Sequence, residues 1–104
     1  MNKFNEREKS FEKKFAHDQE LQFKVSARRN KYLAEWVSSN LGKNDEQKKN
    51  YVQEIIKADL EEAGDEDVFR KVKKDFENSA INIDDSEIKN QMLLALERAK
   101  KDFQ

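Results

Sequence analysis

Residues 11–42 read FEKKFAHDQELQFKVSARRNKYLAEWVSSNLG, and this stretch decides the fold. From Leu21 onward, Leu21, Val25, Tyr32, Leu33, Trp36, Val37 and Leu41 recur at steps of three and four, the spacing that lines one side of an α-helix. That half forms a core. Ahead of Leu21 the large apolar residues thin out to Met1, Phe4, Phe11 and Phe15, set among charged side chains. Phe4, Phe11 and Phe15 share a helical face with Glu8 between them, while Glu6, Lys9, Lys13 and Lys14 point away. Each ring yields at most about 2 to 3 kcal/mol on burial, far less than ordering a segment of this length costs. Residues 1–17 are therefore expected to be a loosely held or disordered helical segment that gains order on a partner.

Working outward, the rest of the chain is helical too. There is no Pro, and the only Gly residues are Gly42 and Gly64, so little opposes helix. The spacing predicts helices over about 18–41, 45–63, 66–78 and 85–102. Gly42 closes the first of these in a left-handed conformation. Asn44 with Gln47, and Asp84 with Glu87, give capping signatures for the second and fourth. The inward faces are expected to be Val52, Ile55, Ile56, Asp59, Leu60 and Ala63; then Val68, Phe69, Val72 and Phe76; then Ile88, Met92, Ala95, Leu96 and Ala99. Ile81 and Ile83 read as an anchored loop. The fold class is all-α: an irregular four-helix bundle, residues 18–104, carrying the segment 1–17.

Composition narrows function by exclusion. The chain has 104 residues, enough for one domain. Lys and Arg number 21 against 22 Asp and Glu, so no net charge draws the chain to nucleic acid or an anionic membrane. The strip Lys24, Arg28, Arg29 and Lys31 beside Tyr32 is the best local candidate for nucleic acid; its alternative is pairing with the acidic turn around Gly64. With no Cys, thiol chemistry and disulfides are absent. His17 is the single His, and the acidic run at residues 61–67 lacks the spacing of a calcium loop, so no metal or cofactor is expected. Neither a spanning segment nor a signal peptide is evident, which favours a cytoplasmic protein. No nucleophile, phosphate cradle or positioned base marks an enzyme.

Several blocks together are more specific: F-A-H-D at 15–18, A-R-R-N-K at 27–31, L-A-E-W at 33–36, L-G at 41–42, K-A-D-L-E-E-A-G at 57–64 and E-D-V-F-R-K-V at 66–72. In combination they resemble the ζ subunit of the alphaproteobacterial F-type ATP synthase. The resemblance implies a protein that inhibits ATP hydrolysis by the F1 sector. It also implies that the N-terminal helix is the inhibitory element, inserted between catalytic α and β subunits near the γ stalk. The family pattern F-x-x-R-E-x-x-F-E-x-K-F-A-H-D falls on Phe4, Arg7, Glu8, Phe11, Glu12, Lys14, Phe15, Ala16, His17 and Asp18. The chain is expected to be a monomer when free and to be attached to the membrane only through the synthase. The alternative is a helical adaptor that binds a partner without inhibiting it.

Overall fold

The computed structural model describes residues 3–61 and 64–104, with side chains from residue 8 onward. Among the described residues five helices follow in order: α1 Lys3–His17, α2 Gln19–Asn40, α3 Asp45–Glu61, α4 Glu66–Asn78 and α5 Asp85–Asp102. No strand occurs among the described residues. The elements α2 to α5 match the four expected spans to within a few residues. Ala63 lies outside the described residues.

Each boundary has a local cause. Asp18 separates α1 from α2 in an extended conformation, φ −100° and ψ 102°, and its carboxylate accepts from the Leu21 N–H. This is an N-cap, satisfying one of the unpaired amides that open a helix. At the other end Gly42 sits at φ +71°, and the Lys43 N–H reaches back to the Ser38 carbonyl at 3.0 Å, the six-to-one bond of a Schellman turn. Asn44 and Gln47 exchange side-chain bonds to each other's backbone N–H, both 2.9 Å, as their spacing predicts. Asp84 is the N-cap of α5 but makes no side-chain cap bond. There the Glu87 N–H is met by the Asp84 carbonyl at 3.0 Å instead.

α2 is the spine: it packs against both α3 and α5, and α4 closes on α3 and α5. The main core holds Leu33, Ala34, Val37, Tyr51, Ile55, Val68, Val72, Phe76, Ile88, Met92 and Ala95, with Ile81 and Ile83 packed against it. A second, smaller cluster lies toward the α2 N-terminus and holds Phe11, Leu21, Val25 and Ala99.

Besides the missing Asp84 side-chain cap, three expectations need correction. Leu60 was expected to face inward but is 70% exposed. The buried row of α3 is Tyr51, Ile55 and Ala58, and a residue two positions beyond Ala58 turns about 200° away from it. Trp36 was expected in the core, yet it is half-buried, meeting Phe76 edge-on at 5.6 Å. Finally, residues 11–17 are not free of the body of the protein. Phe11 is only 7% exposed, because Leu21, Val25 and Ala99 supply the apolar seat that the segment lacks by itself.

Candidate functional site: the seat of the first helix

The site is built from three elements. The turn at Asp18 brings α1 back against α2, so that Phe11, seven residues before the turn, shares a cluster with Val25, seven after it. The turn is secured internally: the Asp18 N–H donates to the Lys14 carbonyl at 2.8 Å, and the Gln22 side-chain amide to the Phe15 carbonyl at 2.7 Å. Phe15 stacks on Phe11 with centroids 6.1 Å apart. From α5, Ala99 is fully buried in the same cluster.

Lys100 gathers the rest. Its Nζ lies 3.2 Å from Glu12 and 4.8 Å from the Phe15 ring centroid, so one ammonium meets both a carboxylate and a π-face. Beside it, the end of α5 is tied to α2. The Tyr32 hydroxyl donates to Asp102, Arg28 reaches the same carboxylate at 3.1 Å, and Arg28 lies over the Phe103 ring at 5.5 Å. The Tyr32 hydrogen bond, reinforced by the Arg28 charge, holds the Asp102 carboxyl below its ordinary range.

Of the residues singled out in the sequence, Phe11, Glu12 and Phe15 meet at this seat. Glu8 is half-buried on the same helix, while Lys14, Ala16 and His17 face solvent. Asp18 acts as a cap. Phe4 and Arg7 have side chains outside the described residues. The basic strip on α2 does not form one surface: Arg28 turns to Asp102, and Arg29 is 3% exposed. Arg29 donates to Asp59 at 3.3 Å and to Asp65 at 3.1 Å, which is the pairing with the acidic turn that the sequence allowed. Asn30 completes that network, donating to Asp59 at 2.9 Å.

Sequence reasoning missed Tyr51, Asn30 and the depth of Arg29. Tyr51 was legible, since it stands four residues before Ile55. Its hydroxyl donates to Asp75 at 2.6 Å, and burial pushes its pKa up. The buried Arg29 had one clue, the placing of Asp59 on the inward face of α3. Among the described residues no cluster of His, Asp and Glu is arranged to hold a metal ion, and no helix is long and apolar enough to cross a membrane.

A chemistry of binding, carried by rings and charges on short lever arms, is what this arrangement offers. No curated protein matches the chain. The family model described as ATPase inhibitor subunit zeta matches residues 1–102 and so takes in α1, its seat and the whole helical body; the chain belongs to that family.

Proposed function

We propose that this chain is a protein inhibitor of the F1-ATPase and that α1 is its inhibitory element. A family named for an inhibitor subunit points to a regulatory, non-catalytic protein that works on an ATPase of the ATP synthase. The finer reading is ours: α1 enters an interface between catalytic α and β subunits near the γ stalk and stops rotation in the hydrolytic direction. Residues Phe4, Arg7, Glu8, Phe11, Glu12, Lys14, Phe15, Ala16, His17 and Asp18 form the contact, and α2 to α5 serve as an irregular four-helix bundle that carries it. Inhibition of this kind needs no catalytic group, because binding one rotational state better than the next stalls turnover. The protein is then cytoplasmic, monomeric when free, and at the membrane only through the synthase.

The observation that carries this reading is the family match over α1 and its body together, 1–102. Its test is ATP hydrolysis by cognate F1 titrated with the full chain and with a version lacking residues 1–17, the fold of each checked by circular dichroism. The full chain should inhibit and the shortened one should not. If neither changes hydrolysis, the reading is wrong.

A second reading, a helical adaptor without inhibitory action, draws on the exposed side chains Phe23, Leu60, Leu93 and Leu94, which give the body apolar contacts of its own. Capture of F1 subunits with hydrolysis left intact would favour it.

A further inference from the structure

Three of the residues assigned to partner binding are already spent on internal contacts. Phe11 lies in the cluster with Leu21, Val25 and Ala99, Phe15 stacks on it, and Glu12 is paired with Lys100. A ring in that seat cannot also fill a groove on another protein. We propose that the free chain is latched, with α1 folded onto α2 and the end of α5, and that Lys100 is the catch whose release readies α1 for its partner. This rests on the reading of α1 as the inhibitory element and adds a regulatory step to it.

Three features suit a latch better than a permanent joint. First, the seat is small: its four buried residues are distinct from those of the main core, Tyr32 alone is packed against both, and among the described residues α3 and α4 contribute none of its side chains. Second, α1 and α2 are joined by a single extended residue, Asp18. Once the Gln22–Phe15 hydrogen bond is released, rotation there swings α1 as a unit without unwinding either helix. Third, Lys100 acts from the rim. The Glu12 side chain is 52% exposed and that of Lys100 22%, so the pair is open to competition from charges on an incoming protein. The apparent affinity of a binding-competent state scales with its population, so loosening the catch should raise potency with no new contact to the partner.

The test uses the full chain and cognate F1. Lys100→Glu opposes Glu12 with like charge at a half-buried position on the rim of the seat, outside the main core, so the body should stay folded. It should lower the half-inhibitory concentration at least threefold and speed amide exchange across residues 8–17 in the free protein. A second variant, Glu12→Cys with Lys100→Cys, carries the chain's only thiols. Joined by a cleavable bismaleimide linker, it should inhibit at least tenfold more weakly than the same variant left unjoined, and cleaving the linker should return it to the unjoined level.

If Lys100→Glu exchanges faster in α1 yet inhibits no better than the natural chain, the latch is overturned and the inhibitory role stands. Full inhibition by the tethered chain overturns it equally. If no version inhibits, tethered or released, then α1 is not an inhibitory element and the latch falls with it.

Discussion

Two helices end in the same six-to-one hydrogen bond, and only one of them ends in glycine. After α2 the left-handed residue is Gly42; after α4 it is Ala80, at φ 56°. There the Ala80 N–H meets the Glu77 carbonyl at 3.1 Å and the Ile81 N–H meets Phe76 at 2.9 Å. Ile81 packs against the core that contains Phe76, the apolar contact such turns favour. A side chain in this region costs about 1 to 2 kcal/mol, part of which glycine would return as unfolded-chain entropy. Ala80→Gly should therefore raise stability by about 0.5 to 1 kcal/mol in urea unfolding. Arg29 carries the opposite expectation. Its removal would leave Asp59 half-buried beside Asn30, and Arg29→Ala should cost about 3 kcal/mol, the lower end for broken buried pairs because Asp65 remains solvated. At this scale the sequence was least legible. Nothing in the period of α2 separates a buried Arg29 from an exposed Lys31, because the difference lies in what α3 brings opposite.

At the scale of the element the sequence was easier to read, since helix ends and apolar rows are local facts. Asp18, Gly42 and the Asn44–Gln47 pair stand where local chemistry requires them. The burial of Phe11 was not legible, because its seat is assembled from residues ten and eighty-eight positions away, Leu21 and Ala99. That seat alters what a mutation should do. Phe11→Ala should free α1 locally: amide exchange across residues 8–17 rises at least tenfold, while α3 and α4 hold their protection, since the second cluster opens apart from the first. The end of α5 has its own pH response. The Asp102 carboxyl is held below its ordinary range in the folded chain, so its contribution is present above about pH 4 and is lost as pH falls through the lower folded value. Side-chain carboxyl shifts in an acid titration should show this. Tyr32→Phe, which removes the main cause, should move the Asp102 midpoint upward.

On the scale of the whole molecule, 49 by 26 by 25 Å, two clusters divide the work. The larger one, shared by α2 to α5, accounts for the body. The smaller one holds α1 in place. Unequal apolar content along residues 11–42 foreshadowed this division; what it could not show was that the sparse end would find a seat at home. The decisive experiment places a photoreactive benzoylphenylalanine at position 11 and irradiates the inhibited complex with cognate F1. Covalent adducts with α, β or γ subunits should form from position 11 and none from the same group at Glu77, on the body. Inhibition accompanied by adducts from position 77 alone would contradict the inhibitory role of α1.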